Sequence, residues 1–159
     1  MIGIAVMVGL PGCAKDWGHR LRSVPIAAIG TRAGAAWTST TLESASTPTQ
    51  RKALAQARPG TIVGEVVDIS CFLQLGKRGE AHIPCGQKCL RNGQPIGLLT
   101  DDGQLYLVLP EEHHPRRDGQ VSLKERFAEL MAKRVALSGM IATYRGYRAI
   151  FVRTRDTPS

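Results

Sequence analysis

The chain has 159 residues, an ordinary apolar fraction, few aromatics and a formal charge of +8 at pH 7. That length supports one domain with tails rather than several, and the apolar content suffices for a packed core. The basic balance suits an anionic partner (nucleic acid, a membrane surface or an acidic protein) or a merely solvated basic surface, and the scatter of cations into short pairs such as Lys77-Arg78, Arg116-Arg117 and Lys133-Arg134 weakens the nucleic-acid reading.

An apolar run, Ile2 to Leu10, opens the chain and ends in Leu-Pro-Gly-Cys. It is too short to span a bilayer. It resembles the end of a bacterial lipoprotein signal peptide, which implies a signal segment over residues 1–13, a lipid on Cys13, and a periplasmic or membrane-anchored domain. The usual basic leader is missing, since the first basic residue is Lys15. Read without a signal, the run is an edge strand or an apolar tail and the protein is cytoplasmic. Residues 14–60 read as a largely irregular linker: Thr31 to Gln50 is rich in Ala, Ser and Thr without a period. One or two helical turns are expected over Gln50 to Ala57, stopped by Pro59-Gly60.

From Thr61 the texture changes. Thr61 to Ser70 is rich in Val and Ile and reads as a strand. A segment holding Cys71, His82, Cys85 and Cys89 follows, so three of the four cysteines and one of the four histidines fall within nineteen residues. Ile96 to Thr100 and Gln104 to Pro110 form a strand pair around Asp101-Asp102-Gly103, a hairpin signal. The polar stretch Glu111 to Gln120, with His113 and His114, is a loop. Ser122 and Glu125 form a capping box, and Leu123, Phe127, Leu130 and Met131 share one helical face behind it. Val135 to Tyr144 and Tyr147 to Arg153 flank Arg145-Gly146 as a closing hairpin.

Five strands with a helix between the third and fourth resemble the OB-fold, a five-stranded, partly open Greek-key barrel. The resemblance covers residues 61–155 and leaves 156–159 as a tail. The Gly64 to Asp68 strand, the Cys/His segment and the Gly97 to Leu99 strand are also similar to small exported bacterial OB-type proteins of unassigned role. That similarity implies a fold and a location but brings no activity.

Within the Cys/His segment, Pro84 suits a helix start and Asn92-Gly93 a left-handed stop. A helix from Pro84 to Leu90 puts Cys85 and Cys89 on one face at i and i+4. His82 stands just ahead of that helix, and Cys71 leaves the first strand, returning through a loop with Gly76 and Gly79. Three thiols and one imidazole suit a tetrahedral metal site, with zinc as the default and copper or an iron–sulfur cluster as alternatives. Two rivals stand beside it. Cys71 can form a disulfide with Cys85 or Cys89, stapling a binding module for an oligonucleotide, acidic protein or lipid surface. Alternatively, Cys85 serves as a thiol-exchange nucleophile with His82 as its base. No third orienting group completes a catalytic constellation. At the closing hairpin, Tyr144, Arg145, Tyr147 and Arg148 combine aromatics with cations, a pattern that fits base stacking and phosphate contact, or else an ordinary decorated turn. Taken together, these features describe an accessory or subunit protein with a Cys/His metal or cofactor site, acting within a membrane-associated complex and having no transmembrane span of its own.

Overall fold

The structure, a computed structural model, describes residues 24–30, 45–111 and 118–153. Its elements in chain order are β1 (Ala27–Ile29), α1 (Pro48–Ala55), β2 (Arg58–Asp68), α2 (Ile69–Leu75), a 3-10 turn (Glu80–His82), α3 (Ile83–Arg91), β3 (Ile96–Leu99), β4 (Leu105–Pro110), α4 (Asp118–Glu129), β5 (Arg134–Tyr144) and β6 (Tyr147–Val152).

Strand pairing closes a barrel. β2 lies antiparallel between β3 and β5, β3 pairs antiparallel with β4, and β4 pairs parallel with β6. The antiparallel β5–β6 hairpin completes the ring. The circuit β5-β2-β3-β4-β6 is that of an OB-like barrel, as the element order predicts. Closure pairs most of the strand edges within the ring. β1 adds outside it, parallel to β5.

Alternation decides what each long strand buries. On β5, Val135 and Leu137 face the interior, with Ile141 packed against the same core. The opposite face carries Met140 and Ala142, which are buried in a second, smaller cluster with Ala57 and Phe151. α1 packs along β5. At the end of the barrel where β2 finishes and β5 begins, α3 and α4 form a plug: Leu90, Leu123, Phe127 and Met131 join Val66, Leu98 and Ile150 in one core.

The structure differs from the sequence reading in three places. Residues 14–60 are not simply a linker, because Ile29 in β1 belongs to the core at 1% exposure, α1 is regular, and the barrel strand starts at Arg58, so Pro59-Gly60 lies inside it. α4 starts at Asp118, which puts Ser122 inside the helix rather than at its cap. Cys71 sits in a helix of its own, so the connection after β2 carries two cysteine-bearing helices. Both hairpins form as expected. Arg145 and Gly146 have φ of 48° and 87°, the double left-handed turn whose twist matches a two-residue hairpin.

Phe127 is 0% exposed at the centre of the plug. Phe127→Ala should therefore lower unfolding stability by about 3–5 kcal/mol. Tyr147→Ala, at an 80% exposed position, should stay within about 0.5 kcal/mol of the parent. Denaturant midpoints of the two variants check this, and equal losses would contradict the assigned core.

Candidate metal centre

β2 ends in a buried carboxylate. Asp68 is 0% exposed, on the same strand face as Ile62 and Val66. It is the N-cap of α2: its Oδ1 accepts from the backbone N–H of Ser70 at 2.9 Å and of Cys71 at 3.5 Å. An Asp at this position satisfies donors that a helix start leaves orphaned. The cap starts α2 immediately and sets Cys71 within its first turn. Gly76, with φ of 67°, ends α2 in the left-handed conformation that glycine adopts freely.

The chain then returns under a clamp from β2. Glu65 accepts the Gly79 backbone N–H at 2.8 Å through Oε1 and pairs with Arg78 at 3.1 Å through Oε2. This fixes the loop that leads into the 3-10 turn and delivers His82, which is only 3% exposed. His82 is also the residue from which α3 starts, with Pro84 in its first turn, as the sequence suggests. Cys85 and Cys89 follow one turn apart. α3 seats closely on the plug because Gly86 has no side chain: a Cβ there would lie 2.7 Å from the Met131 sulfur.

These elements bring the four expected ligands next to one another in two groups that share Cys71, rather than in one. The sulfurs of Cys71, Cys85 and Cys89 lie within 4.8 Å of one another, and so do the donor atoms of Asp68, Cys71 and His82. Cys71, Cys85 and Cys89 are free thiols, so no disulfide staples the connection. Cys85 is exposed, whereas Cys71 and Cys89 are half-buried. Asp68 joins them as a further ligand-type residue; from its place after a β run it reads either as a bond to the segment that carries Cys71 or as an ordinary strand-end turn residue, and the structure shows the bond. Its signal is the spacing Asp-x-x-Cys directly after an apolar strand, the pattern of a helix cap.

The electrostatics centre on Asp68. Its carboxylate accepts a hydrogen bond from the Cys71 thiol, and this, with burial and the carboxylate's own charge, pushes that thiol up to about 12. Cys89 is raised as well, first by burial and then by Asp68. Asp68 Oδ2 and His82 Nε2 face each other at 3.9 Å, too far for a hydrogen bond, and both atoms are buried without a partner. Buried polar atoms are ordinarily satisfied, so this pair is poised for something that bonds to both. Thiolate, imidazole and carboxylate are together the donor types of borderline divalent metals. The residues can therefore hold a metal ion.

The other expected surface lies elsewhere. Tyr144, Arg145, Tyr147 and Arg148 gather at the β5–β6 turn, with the Arg145 guanidinium 5.7 Å from the Tyr144 ring centre. Since Glu65 pairs with Arg134 and Arg58 with Ile141, this tip is at the opposite end of β5 from the cysteines. Beside it a groove of about 320 Å³ runs between α1 and β4, β5 and β6, lined by Leu54, Leu107 and Phe151 among others. Cys13, His113 and His114 lie outside the described residues. Among the described residues no helix is long and apolar enough to cross a membrane.

In metal-free protein, iodoacetamide should modify the exposed Cys85 ahead of Cys71, whose raised thiol yields little of the reactive thiolate. Asp68→Asn keeps a capping side chain but removes the charge that holds the Cys71 proton, so Cys71 should react faster relative to Cys85. Site-resolved mass spectrometry at mildly alkaline pH reads this ratio, and an unchanged ratio would remove Asp68 as the cause. No known protein family, no curated protein and no solved structure matches this chain, so its function has to be read from the geometry above.

Proposed function

We propose that this protein is a metal-holding OB-like domain that binds a zinc ion through Cys71, Cys85 and Cys89, with His82 and Asp68 beside Cys71 as a neighbouring donor group. The observation that carries the reading is the convergence of three free thiols from two separate helices on a point flanked by an unpartnered, buried imidazole. Zinc is favoured among the soft and borderline ions because sulfur–nitrogen sets are its commonest structural environment. Bound there, it would join α2 to α3 and fix the long connection between β2 and β3. Such a site serves an accessory protein that presents a metal or a metal-braced surface to a larger assembly. An N-terminal lipid anchor on Cys13 belongs to the same proposal and would set that assembly at a membrane.

The thiol-exchange reading is less well supported by the same geometry. His82 groups with Asp68 and Cys71, and not with the exposed Cys85 that would need it as a base. Cys71, which does neighbour His82, is held in its protonated form by Asp68 and burial.

Coordination requires the thiols to lose their protons, so metal and protons compete. Raised thiols at Cys71 and Cys89 make the competition steep: apparent zinc affinity should climb with pH through the neutral range. Zinc-loaded protein should melt at a higher temperature than chelator-treated protein at pH 7.5, and the gap should shrink as the pH falls. Metal analysis of protein purified from zinc-supplemented cells, with Cys85→Ser and Cys89→Ser alongside, tests the reading. Metal-free wild-type protein that takes up no zinc on titration would refute it.

A further inference from the structure

The candidate ligands form two triads that share Cys71. One is Cys71, Cys85 and Cys89, which opens to solvent through the exposed Cys85; the other is Asp68, Cys71 and His82, which is shut inside by two residues that are 0% and 3% exposed. We propose that the connection holds two divalent ions bridged by the Cys71 thiolate, an outer ion on Cys85 and Cys89 and an inner ion on Asp68 and His82. This rests on the metal-holding reading above and extends it from one ion to a pair.

Charge supports the pair. One divalent ion on three thiolates leaves a net charge of −1, and the fully buried Asp68 carboxylate adds another, so two negative charges would face each other. Unpaired charge in such a place is costly. A second divalent ion cancels both, because three thiolates and one carboxylate balance two such ions, with the imidazole neutral. A trapped water molecule could satisfy the orphaned Oδ2 and Nε2 atoms but would not balance the charge.

Distance supports the inner position. The 3.9 Å between Asp68 Oδ2 and His82 Nε2 is too long for a hydrogen bond. It is shorter than about 4.2 Å, the sum of a zinc–oxygen and a zinc–nitrogen bond, so one ion can reach both atoms. The second Asp68 oxygen remains engaged with the α2 backbone, which leaves Oδ2 free to face inward. In the loaded site the three thiols have given up their protons to solvent, and Cys71 shares its sulfur between the ions.

Anaerobic titration of the whole chain with cobalt(II) separates one ion from two. Wild type should take up two equivalents. The thiolate charge-transfer band and the high-spin cobalt resonance should rise with the first, and the resonance should fall as the second arrives, because a shared thiolate couples the two spins. Asp68→Asn and His82→Gln should each saturate at one equivalent and keep the full resonance. His82→Gln leaves the α2 cap untouched, so it guards against a folding loss in Asp68→Asn, and circular dichroism checks both. Saturation of wild type at one equivalent that Cys85→Ser abolishes would overturn the bridged pair while leaving the single-ion reading standing. Two equivalents persisting in both variants would also overturn it, and no uptake by wild type would end both readings.

Discussion

Burial of the Asp68 carboxylate is the constraint on which the rest of this connection depends. A carboxylate removed from water needs compensation, and β2 carries this one past the last interior valine, Val66, to the end of the barrel. The first compensation is local: two backbone N–H groups of α2 turn to meet it. That choice makes the chain helical immediately after the strand, which in turn places Cys71 one helical turn from the carboxylate and inside its field. A different residue at position 68 would alter the helix start, the orientation of Cys71 and the protonation of its thiol together.

The OB-like circuit explains why such a connection can exist without disturbing the barrel. Five strands close on themselves and satisfy their own backbone groups, so the span between β2 and β3 is free to grow. Here it holds two helices and a 3-10 turn, yet it re-enters the sheet in register, with Asp68 opposite Ile96. The core remains continuous because α3 contributes Leu90 inward while its cysteines face the carboxylate side. Gly86, between those cysteines, lets the helix press against Met131 below the barrel end. The helix face that binds the plug and the face that carries the thiols are thus set by the same few residues.

Where the chemistry was local, the sequence disclosed it. Asp101-Asp102-Gly103 and Arg145-Gly146 specify hairpins because turn conformation is decided within a few residues. Pro84 and Asn92-Gly93 bracket α3 for the same reason. The misses depended on distant partners. β1 is a three-residue strand that exists because β5 offers it a parallel edge, and no periodicity could announce it. α2 is too short to show a helical period, and its cause is the cap at Asp68 rather than its own residues. The capping box at Ser122 was a sound local signal, but the helical backbone simply continues back to Asp118, where nothing in residues 118–121 forbids it. Ligand types and spacing were visible, whereas their division around Cys71 was not, because it comes from the Glu65 clamp and the burial of His82.

That division also bears on what the thiols can do. A nucleophilic cysteine needs a base within reach and a field that favours its thiolate. Cys71 has the imidazole nearby, but the carboxylate beside it stabilises the protonated form. Cys85 is open to solvent, but the imidazole is engaged with the other triad. Neither thiol holds both advantages, and the residue that separates them is Asp68. A cation reverses the sense of the same field: the carboxylate that opposes a free thiolate attracts a metal ion, and the ion then lowers the cost of each thiolate around it. The carboxylate that holds the Cys71 thiol in its protonated form is thus the group that favours a cation beside it.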